Sequence, residues 1–155
     1  MAVEIRVLGR GDEAVLENVA PEVFDNPIDP YLAAEFLADH RHHIAVAVDG
    51  AVVVGFASGV HYLHPDKPPE LFVNEVGVAP THHRRGLGKA VLEALFEVGR
   101  RHHCAVAWVL TDRSNAAAMA LYASAGGTEG ADEEGLSDEM VGYAFDLTKV
   151  GQAQG

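Results

Sequence analysis

The chain predicts an α/β fold in which one mixed, mostly antiparallel central sheet carries helices on both faces. Two observations lead there. Apolar runs of strand length alternate with segments of helical period in the order strand, helices, hairpin, strand, helix, strand, helix, strand. Two of those runs are joined by Asp49-Gly50, a dipeptide suited to the positive φ of a tight hairpin turn.

Each element has a local reason. Val3 to Leu8 reads as an opening strand, and Asp12 is placed to cap a helix through Glu17 before "APEVFDNPIDP" breaks the pattern. A short helix is expected from Pro30 or Tyr31 to about Ala38, and the hairpin spans roughly Ile44 to His61. Pro65, Pro68 and Pro69 lack ladder donors and make residues 65–69 a loop, after which Leu71 to Val78 form a strand. Leu87, Val91, Ala94, Leu95 and Val98 line one face of the next helix, Leu92 and Phe96 widen it, and Gly99 or the following His pair ends it. "CAVAWVL" (Cys104 to Leu110) is a continuous apolar run, expected as a strand buried on both faces. "SNAAAMALYASAGG" is an alanine-rich helix capped by Ser114 or Asn115, with Gly126 at its left-handed end. Met140 to Leu147 form the last strand, and "GQAQG" reads as a frayed tail.

With 155 residues, 48% of them hydrophobic, the chain can bury one core, so a single domain over 1–155 is expected, ordered over about 3–147. Glu4 and Arg6 interrupt any signal-peptide core, and no apolar run reaches membrane-spanning length, which points to a cytoplasmic protein without a membrane partner. Cys104 is the sole cysteine and lies among apolar residues, a buried structural thiol. A formal charge of -12 disfavours nucleic acid and favours cations.

One stretch asks for an anion. In "THHRRGLGKAVLEAL", Gly86 and Gly88 flank Leu87 at a helix start, and Arg84, Arg85 and Lys89 add positive charge. Free amides at such a start, joined to these cations, suit phosphate or pyrophosphate. A Walker A loop fails because His83 and Ala90 stand where Gly and Ser or Thr are needed, and Val91 breaks the dinucleotide fingerprint.

"VNEVGVAPTHHRRGLGKAVLEAL" followed by "NAAAMALYASAG" resembles the GNAT superfamily of acyl-CoA-dependent N-acetyltransferases, with Asn115, Ala118, Leu121, Tyr122 and Gly126 on the second motif. The resemblance covers about residues 3 to 147 and implies a GNAT fold with acetyl-CoA as cosubstrate. It places the cofactor pyrophosphate on His83, Arg84, Arg85, Gly86, Leu87, Gly88 and Lys89, and the pantetheine arm along Val76, Gly77 and Val78 and against Asn115. His83 stands where the family usually has Gln or Arg, and Gly127 where it often has an aromatic or aliphatic residue. Across most of its length the chain looks like the aminoglycoside 3-N-acetyltransferase branch, usually with Asp where Glu75 stands, which implies acetylation of the 3-amino group of a small polycationic antibiotic. Other small amine or peptide acceptors, or a cofactor sensor without turnover, are the alternatives. Related enzymes are often dimers.

Amine acetylation calls for a base and an acid. Glu75, inside the apolar "VNEVGV", is the candidate base or amine-orienting group, its pKa raised by burial; structural pairing with a basic side chain is the plainer account. Tyr122, which the resemblance sets facing the cofactor, is the candidate acid for the thiolate, against a plain core role. Backbone amides around Val76 and Gly77 are candidates for the oxyanion. Nine histidines, mostly in adjacent pairs that point apart, read as surface residues, and no metal site is expected. Trp108 is expected in the core. The run "TEGADEEGLSDE" reads as a solvated loop or an acceptor-attracting rim.

Overall fold

Residues 3–130 and 139–149 are described by a computed structural model, so positions 131–138 of the acidic run lie outside the described residues. The chain forms strands β1 (Val3–Leu8), β2 (His42–Asp49), β3 (Val52–Tyr62), β4 (Glu70–Val78), β5 (Val106–Asp112), β6 (Thr128–Glu129) and β7 (Met140–Asp146), with helices α1 (Pro30–Ala38), α2 (Leu87–Arg101) and α3 (Ala116–Ser124). They make one sheet in the order β1-β2-β3-β4-β5-β7-β6. Every neighbouring pair of strands is antiparallel except β4 with β5. The mixed, mostly antiparallel sheet is therefore the one expected, and α2 is the crossover between its two parallel strands.

Local signals act largely as anticipated. Gly50 takes φ 65° at the hairpin turn and Gly126 takes φ 94° after α3. Asp29 starts α1, its carboxylate accepting from the amides of Tyr31 and Leu32 at 2.8 and 3.2 Å. Asp12 departs from expectation. Its carboxylate accepts from the amide of Gly9 at 2.8 Å, and residues Glu13–Glu17 form only a 3-10 turn without a side-chain cap.

Strand alternation assigns the two faces. A Cβ on Gly59 would touch Leu95 of α2, so Gly59 faces that helix. Phe56 and Ser58, of opposite parity, line a cavity with Leu32, Ala33 and Phe36 of α1. Buried Val91, Leu92, Leu95 and Phe96 bring the apolar stripe of α2 into the core with Leu71, Val73, Ala107 and Val109. α1 covers β2 and the 3-10 turn but stops short of β5. That explains why β5 is buried on one face only: Ala107 and Val109 are buried, while Val106 is 36% exposed and Trp108 is half-buried. Trp108 packs on Phe72 and donates from Nε1–H to the Tyr62 hydroxyl at 2.6 Å.

The histidines correct a second expectation. His43 and His61 are buried, at 8% and 6% exposure, because alternation along a strand turns one member of an adjacent pair inward while His42 stays exposed.

Gly127 has a packing explanation. An added Cβ would lie 2.7 Å from Cε2 of Phe145 and 2.8 Å from the Tyr122 carbonyl oxygen, so the Phe145 ring occupies the space that a larger residue there would need. Gly127→Ala should cost about 1–3 kcal/mol and lower the melting temperature by roughly 3–10 °C. Thermal denaturation measures this, and Phe145→Leu in the same background should recover part of the loss.

Candidate active site

The site begins with a discontinuity in β4. β3 and β4 hold one register from Gly55 opposite Val78 to Ser58 opposite Glu75, then shift so that Gly59 faces Val73. Asn74 is the extra residue of this β-bulge. On the other side β5 pairs with β4 only from Glu70 to Val73. Beyond Val73, β4 has a partner on one edge alone.

Parity decides which backbone groups meet that open edge. The Ala79 amide donates to the Val54 carbonyl at 2.8 Å, so in an antiparallel ladder Glu75 and Gly77 also direct their amides to β3. Val76 and Val78 direct theirs away, toward the cavity. The expectation that Val76 and Gly77 both offer amides is corrected accordingly. Glycine at 77 answers a different need, since a Cβ there would overlap the Val23 carbonyl oxygen and stand 2.9 Å from Phe56 Cε1.

Between this open edge and α3 lies a cavity of about 720 Å³, lined by Val76, Gly77, Val78, His83, Arg84, Gly86, Leu87, Gly88, Lys89, Asn115 and Tyr122 among others. Gly86 enters α2 in the left-handed region at φ 74° and supplies no side-chain cap. The Ala90 amide is the first to close on the helix, bonding the Gly86 carbonyl, so the amides of Leu87, Gly88 and Lys89 have no intrahelical acceptor. Arg84 holds φ 63°, a conformation costing a non-glycine residue about 1–2 kcal/mol. Free amides, Arg84 and Lys89, and the open backbone of Val76 and Val78 suit a ligand with a diphosphate at one end and an amide-bearing arm.

Two turn residues behave differently from expectation. His83 Nε2–H donates to the Val78 carbonyl at 3.0 Å, so the imidazole braces the turn against β4. Arg85 does not line the cavity. Its charge acts on Asp49, whose carboxylate is held below its usual range first by a hydrogen bond from His82 and also by Arg85. The His82–Asp49 contact, 2.8 Å, ties the turn to the β2–β3 hairpin. His82, Ala117, Ala118, Leu121 and Ser124 line the cavity without having been foreseen. Positions 117, 118 and 121 share a helical face with 122, a spacing visible in the sequence.

Tyr122 is buried, and burial raises its pKa. Its hydroxyl makes no hydrogen bond among the described residues, whose buried side-chain polar atoms are all satisfied, so it is open to the cavity it lines. Asn115 caps α3, its side chain accepting from the Ala118 amide at 3.0 Å, and lines the same cavity.

Glu75 faces the other way. It lines a second cavity of about 320 Å³ with Asp25, Asn74, Phe24, Leu32 and Phe56. Glu75 is exposed rather than enclosed in its strand. Its pKa is nonetheless raised, first by desolvation against the cavity walls and then by repulsion from Asp25.

Residues 13–126 match the Acetyltransferase (GNAT) family. The chain belongs to this family. GNAT acetyltransferases use acetyl-CoA as the acetyl donor. The N-alpha-acetyltransferase RimI of Mycobacterium tuberculosis is 32% identical over 126 residues, 80% of this chain and 77% of that protein. Among solved structures, Arabidopsis thaliana NAA60 in complex with acetyl-CoA superposes with a TM-score of 0.72 at 14% identity, covering 96% of this chain and all of that one. An aminoglycoside acetyltransferase, HMB0005, from an uncultured soil metagenomic sample gives 0.69 at 21% identity over 90% of this chain and 97% of that one.

For this GNAT chain the free α2 terminus generates a direct test. A Cβ on Gly88 would meet Leu121 at 3.4 Å without overlap, so valine there is tolerated by the fold but crowds the cavity. Gly88→Val should weaken acetyl-CoA binding at least about tenfold, roughly 1.4 kcal/mol, by calorimetry on protein whose melting temperature is close to the parent's.

Proposed function

We propose that the chain moves the acetyl group of acetyl-CoA directly to a primary amine held beside Glu75. One observation carries this reading: consecutive residues of β4 serve two cavities, with Asn74 and Glu75 on the acceptor side and Val76 to Val78 on the cofactor side. An amine at Glu75 and a thioester along Val76 would meet at the bulge.

The chemistry then divides among few groups. Glu75 takes a proton from the acceptor ammonium, directly or through water, leaving the nitrogen lone pair free to attack the thioester carbon. The Val76 amide faces the developing oxyanion. As the carbon–sulfur bond breaks, the Tyr122 hydroxyl donates its proton to the departing thiolate. Burial favours the neutral, proton-bearing form of Tyr122, as an acid requires. Glu75→Gln should lower kcat/KM by about 10²-fold near neutral pH, and less at high pH where free amine is abundant. Tyr122→Phe should cost a similar factor in kcat with acetyl-CoA affinity almost unchanged. Because desolvation first and then repulsion from Asp25 raise the Glu75 pKa, Asp25→Asn should move the acid limb of the pH–rate profile part of the way to lower pH, and a limb that moves to higher pH would contradict Glu75 as the base.

For the acceptor we propose a small polycation of the aminoglycoside class. Glu75 and Asp25 place two carboxylates in one cavity, a pair that one ammonium leaves partly uncompensated and two do not, and the chain's formal charge of -12 attracts such a ligand from solution. A second reading, the amino terminus of a protein, is favoured by the 32% identity to RimI and by the apolar walls around Glu75, including Phe24, Ile28 and Leu32. Thiol release from acetyl-CoA with gentamicin and with an alanine-starting peptide separates them, and mass spectrometry locates the added acetyl. Gentamicin turnover, with apparent KM rising as salt is added, supports the first reading; peptide turnover alone supports the second. Binding of acetyl-CoA without thiol release for any amine would indicate a sensor.

A further inference from the structure

At the far end of α2 from the cofactor turn, three imidazoles that are distant in sequence converge. His43 lies on β2, His61 on β3, and His102 forms the C-terminal cap of α2. A nitrogen from each can be chosen so that all three lie within 4.8 Å of one another. His43 Nε2 and His61 Nδ1 already face each other at 2.7 Å across a shared hydrogen bond. The ring centroids of His61 and His102 are 4.5 Å apart, and those of His43 and His102 are 4.8 Å apart. The 15 residues of α2 separate this cluster from the Gly86 turn, about 22 Å of helix axis, so it stands apart from the acetyl-transfer machinery.

We propose that His43, His61 and His102 form a binding site for a borderline divalent metal ion, with Zn2+ the physiological choice. Three imidazoles without a carboxylate or thiolate are a ligand set suited to Zn2+, Ni2+ and Cu2+ and poorly suited to Mg2+ or Ca2+, which require oxygen. Tetrahedral coordination with Zn–N bonds near 2.0–2.1 Å sets the nitrogens about 3.3 Å apart. The His43–His61 pair must open by roughly half an ångström to admit the ion, and His102 must approach, a movement available to a half-buried residue at a helix end. The hydrogen-bond proton between His43 and His61 sits on one of the two facing nitrogens; on binding, that ring changes tautomer by proton exchange with water, carrying its N–H on the outer nitrogen, so each neutral ring offers one lone pair to the ion. Water takes the fourth position, with the exposed His40, whose ring centroid is 6.4 Å from that of His61, as a further imidazole beside it. The ion would pin the C-terminus of α2 to the β2–β3 hairpin, making the site structural: β2 and β3 carry the sheet on which the acceptor cavity is built.

The test uses the full chain, stripped with a chelator and titrated with ZnSO4 by calorimetry. One ion per chain is expected, with a rise in melting temperature. His102→Gln, at a partly exposed helix cap, should weaken Zn2+ binding at least tenfold while leaving the chelated protein folded by circular dichroism. His61→Gln should do the same, and His42→Gln, on the exposed side of the same strand as His43, should leave binding unchanged. Substitution by Co2+ should give the intense visible absorption of a four-coordinate ion, lost in His102→Gln. Absence of stoichiometric binding, or binding that survives both His61→Gln and His102→Gln, would overturn the proposal. Acetyl-transfer activity is not the readout, so the result is independent of the acceptor assignment.

Discussion

The bulge at Asn74, and the parting of β4 from β5 just beyond Val73, is the constraint on which the site depends. A regular parallel pairing continued to Val78 would satisfy every backbone group on β4 internally and leave no room between the strands. Because β5 departs, Val76 and Val78 keep unpaired polar groups at an internal edge, where an extended ligand can complete the sheet as an added strand. The bulge also reverses the side-chain parity of β4 from Glu75 onward. Glu75 consequently faces the α1 side of the sheet with Phe56 and Ser58, while the open backbone beside it faces the cavity of α2 and α3.

The surroundings of β4 keep that parting in place. α2 crosses between the two diverging strands, and its unsatisfied amides lie where the gap opens. His83 braces the turn against the Val78 carbonyl, and His82 with Asp49 ties the same turn to the β2–β3 hairpin. Two imidazole contacts thus fix a loop whose Arg84 is held in a left-handed conformation. On the opposite face, Gly77 lets the segment around Val23 seat directly on the strand, which brings Asp25 up to Glu75. The carboxylates of one cavity and the open backbone of the other are therefore coupled through Glu75, Val76 and Gly77.

Charge is distributed to match. Cations gather at the Gly86 turn, where Arg84 and Lys89 line the larger cavity, and carboxylates gather at the smaller one, at Asp25 and Glu75. The remainder of the chain carries the large negative excess. Among the described residues no helix is long and apolar enough to cross a membrane. At the other end of α2 the buried histidines form a separate polar island in an otherwise apolar face, the pKa of His43 being pushed down to about 4 by burial and by neighbouring imidazoles.

Much of this was legible in the sequence because the signals are local. Asp49-Gly50, the Gly86 and Gly88 turn, the Asn115 cap and the apolar stripe of α2 each act within a few residues, so their elements lie where periodicity and turn chemistry put them. The motifs likewise carried the family and brought together Val76, Gly88, Asn115 and Tyr122, which line one cavity. Tertiary structure decided what depends on partners distant in the chain. Whether Val76 or Gly77 offers its amide is set by register with β3. That Arg85 stays off the cavity while Arg84 lines it is set by the fold of the turn, and the exposed face of β5 by the short reach of α1. The histidines make the same point most plainly: alternation along β2 parts His43 from His42, but only the packing of α2 across β2 and β3 brings His43, His61 and His102 to a common point.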